Sequence, residues 1–232
     1  MPTFLKDVFF PKFCLGCGKV GTYLCNNCYK KLAYFDKDCC IYCQKPSPYG
    51  LTHPGCRKPL GIDGFMTIFR YNDLLKKTIK SFKYRLATAV WDELSLSIRP
   101  EKLLKTNFFN RVIKNEKIFL QPIPLHPKKI RERGFNQALI ITKFFQRYLS
   151  LLTTDTLIRT KETKPQASIK SKKERAQNLH NAFAVKKKNN VINRTFVLVD
   201  DLLTSGRTAE AAATTLKKNG AKKVYVLTLA KG

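Results

Sequence analysis

Phe196-Val-Leu-Val-Asp200-Asp201-Leu-Leu-Thr204-Ser205-Gly206-Arg207-Thr208 is the stretch whose reading decides the fold. A short apolar run, fit for a buried strand, ends in two adjacent carboxylates. A loop of hydroxyl residues and glycine follows. Residues 208–219 then carry alanine and leucine at helical spacing, and Gly220 stands where a helix end takes a left-handed residue. Strand, loop and helix in that order form the first half of a crossover unit, which predicts a parallel sheet.

The loop has its own chemistry. Backbone N–H groups, hydroxyls and a helix N-terminus make a cradle for an anion, and Gly206 lets the backbone approach it closely. Asp200 and Asp201 cannot bind phosphate, but they can accept hydrogen bonds from vicinal hydroxyls such as those of a ribose. The loop therefore asks for a 5′-phosphate, and the acids ask for the sugar attached to it. The plainer reading is a helix N-cap at Thr204 or Ser205 after an acidic turn. A cap alone has no need of Asp-Asp and Thr-Ser-Gly-Arg-Thr together.

Working outward, strands and helices alternate. Residues 65–71, 117–123, 156–159, 182–185, 195–199 and 223–229 read as strands. Residues 73–84, 90–98, 103–113, 136–152 and 171–179 read as helices, 136–152 with the clearest periodicity. The expected fold is α/β, a mostly parallel sheet flanked by helices.

All eight cysteines fall between Cys14 and Cys56, so the composition changes near residues 59–63. We expect a cysteine-rich module over 1–60 and a larger α/β domain over 61–232. Cys14 and Cys17, Cys25 and Cys28, Cys40 and Cys43, and His53 and Cys56 are each two residues apart. A C-x-x-C knuckle presents two thiolates to one ion, and two knuckles complete the tetrahedron that structural zinc prefers. The first two pairs suit one all-cysteine site. Cys40, Cys43, His53 and Cys56 suit a second, with Cys39 open as a substitute for Cys40, and pair one with pair three is an open alternative. Gly16, Gly18 and Gly21 match a dinucleotide-binding spacing, but no strand precedes them, so that reading is discarded.

The net charge is +28, and lysines outnumber arginines 32 to 12. Such a balance fits a polyanionic partner or a lysine-rich background. The apolar runs are too short to span a bilayer, and no signal-peptide pattern opens the chain, so the expectation is a cytoplasmic protein without membrane insertion.

The 196–208 stretch resembles the PRPP (5-phosphoribosyl-1-pyrophosphate) motif of type I phosphoribosyltransferases. With the cysteine pairs, Pro122-Ile-Pro124-Leu-His-Pro-Lys-Lys-Ile-Arg131-Glu-Arg133-Gly-Phe-Asn-Gln-Ala and the 163–178 stretch, the chain resembles the ComF family of bacterial competence-associated proteins. That resemblance implies ribose contacts for Asp200 and Asp201, and 5′-phosphate contacts for Thr204, Ser205, Gly206, Arg207 and Thr208. It implies a pyrophosphate side at residues 121–126, often with an unusual peptide conformation, joined by Arg131 and Arg133. It implies a mobile hood over 163–178, where Gln166, Arg175 and Asn178 match recurrent positions, and a further basic position at Lys83. Structural zinc, and Mg²⁺ with PRPP, would be the cofactors. Single-stranded DNA and the DNA-uptake machinery would be the partners. A phosphoribosyltransferase (a glycosyltransferase acting on PRPP) and a non-enzymatic single-stranded-DNA-binding protein on the same fold are the two functions in view. His126 and His180 are weak candidates for a general base, and structural roles suit them better.

Overall fold

The computed structural model describes residues 11–83, 87–99, 108, 117–162 and 181–232. Its elements are α1 (Asn26–Tyr29), β1 (Gly64–Arg70), α2 (Asp73–Phe82), α3 (Ala87–Ser95), β2 (Ile118–Pro122), α4 (Pro127–Arg133), α5 (Gln137–Leu149), β3 (Leu152–Thr153), β4 (Leu157–Arg159), β5 (Phe183–Val185), β6 (Thr195–Leu203), α6 (Arg207–Lys218) and β7 (Lys223–Lys231). Five strands form one sheet in the order β1-β7-β6-β2-β3, every neighbouring pair parallel. The mostly parallel α/β fold expected from the sequence is the fold observed. β4 and β5 make a separate antiparallel ribbon.

Alternation along the strands builds two cores. Val197 and Val199 of β6, with Tyr225 and Leu227 of β7, face a layer containing Ile79 and Phe82 of α2, Trp91 and Leu94 of α3, and Ile141 and Phe145 of α5. Phe196, Leu198, Val224 and Val226 point the other way, against Ala209, Ala212, Ala213 and Leu216 of α6 and Leu157 and Phe183 of the ribbon. The run of alanines allows α6 to lie close on the sheet. Both faces are covered, which is why β6 and β7 read as unbroken apolar runs.

The cysteine-rich segment packs into both cores. Cys14, Leu24, Cys25, Cys28 and Leu32 join the first, and Cys39 and Ile62 the second. Residues 33–35 pair antiparallel along the edge of β1: the Phe35 N–H donates to Ile68 O at 2.8 Å, and the Arg70 N–H donates to Ala33 O at 2.9 Å. Glu93 of α3 accepts from the Leu24 N–H at 2.7 Å and from the Thr22 hydroxyl at 2.6 Å. The Tyr29 and Tyr34 hydroxyls donate to the Leu96 and Ser97 carbonyls.

Three departures from the sequence reading have local causes. β6 continues past Val199 through Leu203, because β7 is long enough to pair with it up to Leu203↔Lys231. α5 stops at Leu149, where Ser150 adopts a left-handed φ of 51°, and Leu152 and Thr153 pair with β2 instead of extending the helix. α4 was not anticipated. Pro127 opens its first turn, His126 accepts the Lys128 N–H at 3.3 Å, and Gly134 closes it at φ 84°. The expected helices over 103–113 and 171–179 lie outside the described residues, apart from Phe108. Among the described residues no helix is long and apolar enough to cross a membrane.

Candidate functional site

The chain leaves β2 toward β3 and leaves β6 toward β7, in opposite directions along the sheet. The crevice between the carboxyl ends of β2 and β6 is therefore a topological switch point, where open α/β sheets hold ligands. β2 ends at Pro122, opposite Val199. From Asp200 onward β6 keeps β7 on one side and opens on the other.

Asp200 and Asp201 occupy that opening. As successive strand residues they point to opposite faces. Asp201 is 3% exposed, and its Oδ2 lies 2.9 Å from Lys83 Nζ at the end of α2. Asp200 faces the other layer, its Oδ1 accepting from the Asp201 N–H at 2.9 Å. Burial, with Asp201 beside it, pushes the Asp200 carboxyl up to about 7, against the pull of Lys83.

Loop 204–206 follows. Gly206 takes φ 72° and is the N-cap of α6, with no side-chain cap hydrogen bond. Neither Thr204 nor Ser205 plays the capping role that the plainer reading gave them. The positive end of a 12-residue helix is thus left facing outward beside their hydroxyls. A recess under the loop is lined by Asp200, Thr204, Gly206, Arg207, Thr208 and Thr228. Thr228 Oγ1 is buried there without a hydrogen-bond partner among the described residues. No sequence signal marked Thr228, which sits inside an apolar strand.

Besides Lys83 beside Asp201, a further cation lies within electrostatic reach of Asp200. Arg159 of β4 stacks over the Phe183 ring at 5.4 Å. Burial holds its guanidinium below the usual range, and the nearby Asp200 charge opposes that shift. Burial likewise depresses the Lys129 ammonium, helped by the charges of Arg159 and Arg133. Arg159 therefore lies near Asp200, and Lys129 lies near both Arg159 and Arg133. The sequence reading named Arg133 and missed Lys129 and Arg159, because a single charge in a short strand or an unforeseen helix carries no pattern. Arg131 is exposed on α4. Arg133 bonds to Gln137.

The 134–136 block positions these residues. Phe135 packs on Phe82, next to Lys83, at 6.2 Å between centroids. Asn136 caps α5, accepting the Ala138 N–H at 3.0 Å, and donates to Ile123 O at 3.1 Å, tying α5 to the turn after β2. In that turn Pro122 is buried and Pro124 partly so. Every described peptide bond is trans, so the unusual conformation implied for 121–126 is not a cis bond here. Gln121 is buried, donating to the Pro122 carbonyl at 2.7 Å and accepting from the Leu157 N–H at 3.1 Å. Gln166, Arg175, Asn178 and His180 lie outside the described residues.

The cysteines gather as two groups, Cys14, Cys17, Cys25, Cys28 and Cys40, Cys43, His53, Cys56, with ligand atoms within 4.8 Å of one another in each. The crossed pairing does not occur, and Cys39 points into the second core while Cys40 joins the cluster. Each group could hold a metal ion of the zinc type. The knuckles are built for close approach: a Cβ at Gly16 would meet Cys28 Sγ at 2.6 Å. The Cys25 N–H points at Cys14 Sγ, 3.4 Å away. His53 Nδ1 lies 3.3 Å from Cys43 Sγ, while its Nε2 lies 2.9 Å from Pro46 O, an outer contact that turns Nδ1 toward the cluster.

The phosphoribosyl transferase domain family matches residues 138–232. Competence protein F of Haemophilus influenzae is 28% identical over 212 residues, covering 90% of this chain and 90% of that protein. Competence protein ComFC of Bacillus subtilis is 28% identical over 205 residues, covering 85% and 79%. The DNA utilization protein YhgH of Escherichia coli O6:H1 is 28% identical over 208 residues, covering 88% of each.

Proposed function

We propose that this chain is a ComF-type protein that binds PRPP with Mg²⁺ at the carboxyl end of β6 and acts as a phosphoribosyltransferase-type protein in DNA uptake, a reading supported by its similarity to the competence and DNA-utilization proteins. The observation that carries this reading is the placement of Asp200 and Asp201 at the open edge of β6, directly before a loop and an uncapped helix N-terminus. Asp200 and Asp201 would accept from the ribose hydroxyls. Thr204, Ser205, Gly206, Arg207 and Thr208 would hold the 5′-phosphate. Arg159, Lys129 and Arg133 would face the pyrophosphate, with Lys83 free to turn from Asp201 toward it.

Burial and the adjacent Asp201 raise the Asp200 carboxyl in spite of Lys83, and the diacid fits Mg²⁺ in its donor chemistry. Mg²⁺ would neutralise charge on the departing pyrophosphate. This chain's own contribution is positional and electrostatic: it fixes the ribose, screens the leaving group and excludes water. The two cysteine groups would hold structural zinc, all coordination positions being filled by protein.

The competence and DNA-utilization names of the relatives support a DNA-linked role. The +28 charge favours a second reading, direct binding of single-stranded DNA, whose affinity should fall steeply with salt.

Calorimetry tests the first reading. PRPP with Mg²⁺ should bind, and ribose 5-phosphate more weakly. Asp200→Ala should cost on the order of 1–3 kcal/mol of binding for each buried hydrogen bond lost. No PRPP binding at millimolar ligand with Mg²⁺ would leave the loop as architecture alone, and salt-sensitive oligonucleotide binding would then take the lead.

A further inference from the structure

A second space adjoins the loop on its far side. It is a cleft of about 510 Å³ whose walls come from the knuckle between Cys40 and Cys43, the loop, and the end of β7. Ile41, Tyr42 and Gln44 form one wall, Thr204, Ser205 and Gly206 another, and Lys231 lies across from them. Thr204 and Gly206 also line the recess beside Asp200. The same loop residues therefore border both spaces, and an anion seated on them is not closed off from the cleft.

The cleft is too large for a phosphate and of the size that takes a nucleoside or a comparable small molecule. Its lining is mixed. Ile41, Ile62 and Leu203 are apolar, Gln44 brings an amide, Glu210 a carboxylate ion-paired with Lys58, and Lys231 an ammonium 5.3 Å from the Phe65 ring centroid. Tyr42 is held rigidly: its hydroxyl accepts the Ile62 N–H at 2.9 Å, a Cβ at Gly61 would meet that oxygen at 2.5 Å, and Lys58 Nζ sits 4.4 Å from the ring centroid. A braced ring among apolar side chains, with an amide and a cation in the same cleft, is a stacking platform for a base attached to a phosphate.

We propose that this cleft takes a nucleoside joined through the 5′-phosphate of the ribosyl group on the loop. The site would then accept a 5′-extended ribosyl phosphate, such as one half of a dinucleotide or the terminal ribonucleotide of a strand. The proposal rests on the reading that the loop seats a ribose 5-phosphate. It adds that the phosphate can carry a second substituent, by a phosphodiester in a strand or a pyrophosphate link in a dinucleotide, with the second nucleoside against Tyr42. The second cysteine cluster thereby acquires a ligand-facing role, since Tyr42 lies between two of its members.

Competition calorimetry with the full-length protein tests this. ADP-ribose, ribose 5-phosphate, AMP, PRPP and a short oligoribonucleotide are the probes. ADP-ribose should bind at least about tenfold tighter than ribose 5-phosphate, the order expected for one stacked base, and should compete with PRPP. Tyr42→Leu should bring ADP-ribose down to the ribose 5-phosphate level and leave ribose 5-phosphate within about twofold. Lys231→Met, on β7 and outside the knuckle itself, should weaken ADP-ribose selectively if Tyr42→Leu disturbs folding. Competition by the oligoribonucleotide would identify a strand end as the source, and its failure a free dinucleotide. PRPP binding with ADP-ribose no tighter than ribose 5-phosphate overturns the cleft proposal and leaves the PRPP reading intact. ADP-ribose binding alongside PRPP without competition also overturns it, because the phosphate would not be shared. Failure of PRPP and ribose 5-phosphate alike overturns both.

Discussion

Lys83→Met removes the ammonium that faces Asp201 while keeping most of the side chain's length and apolar stem. Asp201 is 4% exposed at its side chain, and Lys83 28%. Losing one partner of a fully buried pair costs about 3–5 kcal/mol, because a charge is left without compensation. An exposed pair is worth about 0–1 kcal/mol. Here one partner is buried and the other reaches water, so the expected loss lies between, at about 1–3 kcal/mol. Urea unfolding of wild type, Lys83→Met, Asp201→Asn and the double variant gives the number directly. Asp201→Asn should relieve much of the penalty in the Lys83→Met background, giving a coupling of about 1 kcal/mol or more between positions in contact. Strictly additive effects, or a Lys83→Met loss below about 0.5 kcal/mol, would refute the claim that this ion pair stabilises the site.

The Asp200 carboxyl, raised to about 7 by burial and by Asp201, gives two pH trends of opposite sign. Without ligand, its contribution to stability is complete below the unfolded value of about 3.9 and is lost as pH rises through 7, whereas PRPP–Mg²⁺ affinity should rise over pH 6–8 with proton release; calorimetry in buffers of different ionisation enthalpy reads that release, and a pH-independent affinity would count against it. Gly206→Val should destabilise the fold by about 1–3 kcal/mol and abolish PRPP binding, since a branched residue is forced to a positive φ; thermal melts and calorimetry check both. Stripping metal from the cysteine groups should lower the melting of the sheet as well as of the N-terminal segment, because Glu93, Leu96 and Ser97 are bonded to that segment; a sheet transition unmoved by chelation would show those bonds to be without weight.

The sheet was legible because burial on both faces leaves uninterrupted apolar runs at β6 and β7, and because the phosphate-type loop marks a strand end and a helix start together. The end of β6 was not, since Asp200 and Asp201 look like a terminus until the length of β7 is known. The cysteine pairs were legible from spacing, which is local. Whether Cys39 or Cys40 joins the cluster depends on which side chain the core claims, and adjacent residues in extended chain face opposite ways. Lys83 was noticed as a basic position, but its contact with Asp201 spans 118 residues of chain (201 minus 83) and depends on the packing of Phe82 against Phe135. Arg159, Lys129 and Thr228 had no local pattern at all.

One geometric cause underlies the site's uneven charge. β6 outruns β2, so two successive carboxylates stand at an open edge, and strand alternation sends them to opposite layers. Asp201 meets α2 and takes the direct ion pair with Lys83. Asp200 meets the α6 layer, where Arg159 is near but Lys83 is not in contact. Two equal side chains thus have unequal direct partners, and burial with Asp201 beside it raises the Asp200 carboxyl to about 7. A cation entering with a ligand gains most at Asp200, so metal and sugar should bind cooperatively there. Lys83, which lies outside residues 138–232 that match the transferase domain, sets that asymmetry from α2. The segment before the matched domain is therefore part of the site's electrostatics, because Lys83, at the end of α2, pairs directly with Asp201.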